Sequence, residues 1–238
     1  MLSNFYVEDH VKSALMEDIG FGDVTTESIV GEDKIFEASL VSRCDGIICG
    51  LEVFKTVFKI LSDKVEIELL FKDGDKIKKG DVLANLTGPG KYLLLGERVA
   101  LNYVQRMSGI ATETYKYQQA IGDLPCKIVD TRKTTPNFRA FEKYSVKIGG
   151  GALHRFNLSD CAMIKDNHIR GVDIIMLDNM TLEQMKEAVQ FVNHKAIIEA
   201  SGNVNLDTVR AIAECGVDII SSSAIVAKAP TLDIALDM

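Results

Sequence analysis

The stretch Asp130-Thr-Arg-Lys-Thr-Thr-Pro136 sets two adjacent cations, Arg132 and Lys133, among three threonine hydroxyls, after the short apolar run Lys127-Ile-Val and before a helical pattern. Cations at a strand end, beside hydroxyls and stopped by a proline, make a turn suited to binding an anion. Alone, such a pair would read as a solvated charged turn. Further polar stretches follow it: Gly149-Gly-Gly-Ala-Leu-His154-Arg155, Ile164-Lys165-Asp166-Asn167-His168, Ile175-Met-Leu-Asp178-Asn179 and Glu199-Ala-Ser201-Gly202. Singly, His154 reads as a structural histidine, Lys165 as a surface lysine at a strand end, and Asp178 as a capping residue. Their joint occurrence changes the odds that the Arg132-Lys133 pair is only a solvated turn.

These residues need strand ends to present them. Beyond Ala111 the chain repeats strand, loop and helix, with strands expected at 127–129, 162–165, 173–177, 196–199 and 217–221 and helices at 138–148, 182–192 and 206–215. Thr181-Leu-Glu-Gln184 forms a capping box for the second helix, and Asn205 is an N-cap for the third. Alternating apolar strands and amphipathic helices imply parallel strands covered by helices in a barrel-like arrangement. Active sites in such folds collect at the C-terminal ends of strands, where every stretch above falls.

The first part of the chain has another grammar. Val7, Val11, Leu15 and Ile19 recur every four residues before Gly20, which predicts an amphipathic helix; Phe21 to Thr26 reads as a polar turn. Short apolar runs at 36–41, 46–50, 65–71 and 82–86 predict strands, with a helix at 51–61 between them and another at 96–106. The turn Lys72 to Asp81 also resembles the hairpin of biotinyl and lipoyl carrier domains, but lacks their modifiable-lysine motif. The fold class is therefore α/β: an α+β, sandwich-like N-terminal domain (1–110), then a parallel α/β barrel-like domain (111–238).

A net charge of −7 argues against general nucleic-acid binding, which needs excess clustered Lys and Arg, while leaving room for a local cationic pocket. Five scattered cysteines without Cys-x-x-Cys spacing indicate neither a disulfide framework nor a zinc site. The first twenty residues carry acids within their apolar pattern, unlike a signal peptide or membrane span. A cytoplasmic location is expected.

In their order and wording, the stretches closely resemble the quinolinate phosphoribosyltransferase family, also called nicotinate-nucleotide pyrophosphorylase, over nearly the whole chain. The resemblance implies that quinolinate is joined to phosphoribosyl diphosphate, giving nicotinate mononucleotide, carbon dioxide and diphosphate, with Mg2+ assisting and no organic cofactor. It assigns Arg132, His154, Arg155 and Lys165 to the acceptor, with Arg98 reaching in from the neighbouring subunit of a homodimer whose sites are shared. By the same resemblance Lys133 and Asp178 are catalytic. Lys133 faces phosphoribosyl diphosphate, and Asp178 lies by the ribose as the carboxylate for the metal. Ser201, Gly202, Ser222 and Ser223 are implied to hold the ribose phosphate.

The chain departs from that pattern in two ways. Asn203 stands where the family usually has a second glycine, Ser223 where it has glycine and Ala227 where histidine is common. More seriously, only Arg170-Gly-Val172 lies between the Ile-Lys-Asp-Asn-His-Ile169 stretch and Asp173, where the family carries a helix, a strand ending in a catalytic-site glutamate and another helix. Neighbouring parallel strands need a crossover of about a dozen or more residues. At most seven, Asp166 to Val172, are present. A gap in the barrel, an altered path for a flanking strand, or exchange of elements between subunits would each accommodate the loss. Besides the phosphoribosyltransferase, a related pyrophosphorylase with another anionic acceptor and a non-catalytic anion-binding homologue fit the residues.

Overall fold

The structure, a computed structural model, describes residues 2–31, 34–160 and 174–238. The stretch containing Lys165, with the strand expected at 162–165, lies outside the described residues. The chain divides into two compact units, Met1–Thr112 with Pro230–Met238, and Glu113–Ala229. The last nine residues thus return to the first unit, although sequence order assigned them to the second.

The first unit begins with α1 (Asn4–Ile19), whose four-residue period buries Val7, Val11 and Leu15 and which ends at Gly20 with φ 55°. The expected polar turn is instead a short helix, α2 (Val24–Ile29). Asp23 starts it by accepting from the Thr25 and Thr26 amides at 3.1 and 3.0 Å and from the Thr26 hydroxyl. Then come β1 (Ile35–Ser42), β2 (Gly46–Ile47), α3 (Leu51–Leu61), β3 (Glu66–Leu69), β4 (Lys76–Ile77) and β5 (Val82–Pro89). In the turn once compared with carrier hairpins, Asp73 accepts from the Gly50 and Leu51 amides, so it caps α3. The long helix α4 (Gly90–Ile121) follows and runs on into the second unit.

The principal sheet of the first unit is antiparallel, ordered β10-β1-β5-β3, where β10 (Ile234–Asp237) is the last strand of the chain. The returning segment crosses α4 at Gly109, where a Cβ would lie 1.9 Å from the Pro230 carbonyl oxygen. Gln105 then accepts from the Leu232 amide through its backbone and donates its side-chain N–H to the Ile234 carbonyl at 2.7 Å. Only glycine permits that approach.

The second unit contains β6 (Lys127–Val129), α5 (Arg139–Ile148), β7 (Ile174–Asp178), α6 (Leu182–Val192), β8 (Ile197–Ser201), α7 (Val209–Ala213), β9 (Ile219–Ser221) and α8 (Ala224–Ala227). Its sheet is ordered β6-β9-β8-β7 and every pairing is parallel. The capping box of α6 is present, Thr181 with Gln184, and its span matches the sequence expectation. Asn205 instead caps the turn before α7, accepting from the Asp207 and Thr208 amides, and the regular helix starts later and is shorter than 206–215.

Side chains of this sheet alternate between its faces. Ile128, Leu177, Ile198, Ala200 and Ile220 are buried on the face that crossover helices cover in parallel sheets. The opposite face carries Glu199, Ser201 and Ser221 toward the C-terminal ends, but also Ile174, Met176 and Ile197, which are 43%, 40% and 46% exposed. Among the described residues β6 and β7 are the two ends of the sheet, extended at β6 only by a bridge from Val129 to Ala152. The expected parallel α/β unit is therefore present, with four parallel strands among the described residues. β7 keeps a regular five-residue parallel register with β8.

Candidate active site

Register alone gathers the candidate residues of the second unit. Val129 is paired with Ser221, Ser221 with Ser201, and Ser201 with Asp178, while Val129 also bridges Ala152. The chain beyond each of these positions leads into Asp130 to Lys133, Ser222-Ser223, Gly202, Asn179 and His154-Arg155 respectively. All leave the sheet at one edge, the C-terminal one. Lys165 lies outside the described residues, and Arg98 is an exposed residue of α4 in the first unit.

The Asp130–Pro136 turn is held by side chains of α5. Glu142, fully buried, accepts from the Thr135 amide and hydroxyl at 2.9 and 2.8 Å. Arg139 donates Nε to the Thr134 hydroxyl at 2.9 Å and a terminal nitrogen to the Phe156 carbonyl at 3.1 Å. The Lys133 amide donates to the Thr131 hydroxyl at 3.0 Å. The side chains of Arg132 and Lys133 are exposed.

Asp130 is fully buried and lies 2.6 Å from the ammonium of Lys143, itself 3% exposed. Burial raises the Asp130 pKa, against the opposing pull of Lys143 and the His154 amide. Asp130 Oδ1 accepts from the His154 amide at 2.8 Å, and Lys143 Nζ donates to the His154 carbonyl at 2.9 Å. Glu199, also buried, lies 3.4 Å from His154 Nε2. Burial works to raise the Glu199 pKa, but hydrogen bonds from His154 and Ser221 outweigh it and hold the carboxyl low.

At the other end of the row Asp178 is exposed and accepts from the Asn179 side-chain amide at 3.1 Å. Gly202 has φ +101°, and a Cβ there would lie 2.2 Å from Asn179 Oδ1. Asn203 adopts φ 51°, a left-handed conformation that asparagine tolerates better than most residues, and donates to Asn179 Oδ1 at 3.3 Å. Asparagine therefore suits the left-handed backbone of this loop at position 203. Ser222 accepts from the Ala224 amide at 3.2 Å, leaving its hydroxyl hydrogen available as a donor.

Among the described residues no three His, Cys, Asp or Glu side chains cluster as a metal cage. A magnesium ion held by one protein carboxylate and by substrate phosphates needs no such cage. Asp178 fits that donor role, being exposed and accepting a hydrogen bond from a neutral amide.

The family description "Quinolinate phosphoribosyl transferase, N-terminal domain" matches residues 23–108, and the corresponding C-terminal domain matches 110–172 and 170–237. The chain belongs to the quinolinate phosphoribosyltransferase family. It is 38% identical to a probable nicotinate-nucleotide pyrophosphorylase (carboxylating) of Synechocystis, over 98% of this chain and 92% of the relative. It is likewise 38% identical to one of Bacillus subtilis, over 94% and 90%. The crystal structure of NadC from Streptococcus pyogenes is similar with a TM-score of 0.95 and 37% identity, over 100% of this chain and 98% of that one.

The C-terminal family domain matches in two pieces that meet at 170–172, where the sequence places the missing helix-strand-helix. The Synechocystis alignment spans 273 positions, more than the 238 residues of the chain. Relatives in this quinolinate phosphoribosyltransferase family therefore carry residues without counterpart here. Sequence reasoning assigned no role to Arg139, Glu142, Lys143 or Glu199. The first three lie in a helical pattern where charge ordinarily means solvent, and only the fold brings them beneath the cationic turn.

Proposed function

We propose that the chain transfers the phosphoribosyl group of phosphoribosyl diphosphate to quinolinate, with loss of carbon dioxide, to form nicotinate mononucleotide. The observation that carries this reading is the row of cationic turn, phosphate loop and carboxylate that parallel register sets along one sheet edge. Arg132 and Arg155, with Lys165, bind the two adjacent carboxylates of the acceptor, to which arginine's planar fork is matched. Arg98, from a second copy in a homodimer, adds a further cation. The ribose phosphate lies against Gly202, Ser201, Ser222 and Ser223, whose backbone amides and hydroxyls are its donors.

The pyridine nitrogen forms a bond to the anomeric carbon as the bond to diphosphate breaks. Positive charge grows on the ribose and negative charge on the leaving group. Asp178 faces the first and Lys133 the second. Bound magnesium would supply further charge neutralisation at the diphosphate, with Asp178 as its protein ligand. Once quaternised, the ring nitrogen stabilises the carbanion left on the adjacent carbon as carbon dioxide departs, and a proton taken up by that carbon completes the product, so no organic cofactor is required.

A second reading, a site that binds its ligands but turns over slowly, is favoured by the exposed Ile174, Met176 and Ile197 on the face bearing Glu199 and by the absent family glutamate. Phosphoribosyl diphosphate consumption measured with quinolinate, with nicotinate and with no acceptor tests both. Turnover with quinolinate alone supports the transferase. Binding without turnover supports the second reading, in which case inserting the missing helix-strand-helix restores turnover. Consumption with nicotinate but not quinolinate would assign another acceptor.

A further inference from the structure

His154 has four polar groups, and each one has a partner in the chain. Its amide donates to Asp130 Oδ1 at 2.8 Å, its carbonyl accepts from Lys143 Nζ at 2.9 Å, and its Nδ1 accepts from the Arg155 amide at 2.8 Å. An amide N–H can only donate, so Nδ1 carries no proton and the neutral ring holds its proton on Nε2. That nitrogen faces Glu199 Oε2 at 3.4 Å. Neither ring nitrogen remains for a substrate carboxylate.

Glu199 is a costly group to keep. A carboxylate only 2% exposed loses its hydration and must be offset by partners. His154 Nε2 lies 3.4 Å from Glu199 Oε2, and against burial the imidazole and the Ser221 hydroxyl lower the carboxyl's pKa, while Glu199 Oε1 is buried with no hydrogen-bond partner among the described residues. Ser221 lies on β9 and Glu199 on β8, so the pair ties the loop carrying His154 and Arg155 to two central strands of the sheet. A ring locked in tautomer and orientation in turn fixes the peptide of the next residue, which is Arg155.

We infer that Glu199 is a positioning residue that acts through His154 to aim Arg155, and that the His154 imidazole makes no bond to the acceptor. The inference rests on the proposed reading that Arg155 binds an acceptor carboxylate. His154 leaves the set of substrate-binding residues, and Asp130, Lys143 and Glu199 enter the account as its supports.

The ligand-free protein tests the positioning and a titration tests the acceptor. Two-bond proton–nitrogen correlations of the His154 ring should show Nε2 protonated and Nδ1 bare, and Glu199→Gln should shift both the ring signals and the Arg155 Nε–H signal. A ring protonated on Nδ1, or an Arg155 signal unmoved by Glu199→Gln, overturns the inference whatever the protein binds. Calorimetric titration then compares wild type, Glu199→Gln, His154→Asn and the double variant. Each single change should weaken quinolinate about tenfold and leave phosphoribosyl diphosphate unaffected, the usual scale for one lost buried hydrogen-bond partner. The double should be no worse than the weaker single, because both act along one chain of contacts. Loss confined to His154→Asn would make the imidazole a direct ligand and overturn the inference. Wild type that shows the expected spectra yet ignores quinolinate would overturn the acceptor reading and leave the positioning supported.

Discussion

Lys143→Met removes a cation and keeps nearly all of the apolar stem, so its effect isolates one electrostatic interaction. Lys143 Nζ lies 2.6 Å from Asp130 Oδ2, with side chains 3% and 0% exposed. Without it Asp130 keeps the His154 amide as its hydrogen-bond donor but loses the ammonium that pairs with it. Removing one partner of a buried pair costs about 3–5 kcal/mol, because the other charge stays buried and unpaired. That is a large share of the roughly 5–15 kcal/mol available to a native protein. Asp130→Asn should cost a similar amount by stranding the ammonium. Asp130→Asn with Lys143→Met should recover much of the loss, since neither charge is then left buried.

The pH dependence has a definite sign. Burial already holds the Asp130 pKa above its ordinary 3.8 with Lys143 in place, and removing the cation raises it further. The folded variant then retains a proton that its unfolded chain releases, so stability falls as pH rises from 3.8 through the raised folded value. The deficit relative to wild type should therefore shrink on acidification. Urea titrations followed by circular dichroism, at mildly acidic and mildly alkaline pH, measure both quantities. Hydrogen exchange at Ile128 and Val129 localises the effect. A Lys143→Met loss below about 1 kcal/mol under alkaline conditions, or a deficit that does not shrink in acid, would refute the reasoning, since it would place Asp130 in an environment no costlier than an exposed ion pair.

Arg132→Ala and Arg155→Ala should each weaken quinolinate by about 2–5 kcal/mol, the scale for truncating one partner of a buried charge pair; unchanged affinity in both by calorimetry would remove the acceptor from this edge of the sheet. Gly202→Ala forces a methyl group toward Asn179 Oδ1, 2.2 Å away, at φ +101°, so phosphoribosyl diphosphate binding should fall by at least tenfold and stability by about 1–2 kcal/mol or more, both read by titration and melting. Mixing Arg98→Ala with Lys165→Ala chains should restore part of the lost activity if sites are shared between subunits; mixtures no better than either parent place Arg98 outside the partner's site.

The sequence by itself determined the elements whose signals lie within a few residues. The apolar period of 51–61 and the Thr181–Gln184 capping box mark α3 and α6 at their observed bounds, since periodicity and caps are local properties. Alternating strands and helices also placed Arg132, Arg155, Asp178 and Ser201 at one end of a parallel sheet. Only the tertiary structure decided what depends on distant surfaces meeting. β10 pairs Asp237 with Ser39, and nothing in a short terminal run says which edge it will join. Gly109 looks like a weakness in a helix until the Pro230 carbonyl crosses it. Lys143 and Glu199 are charges whose spacing suggests solvent, and their burial follows from desolvation being offset by partners far away in the chain, Asp130 and His154, which no local pattern could have paired with them.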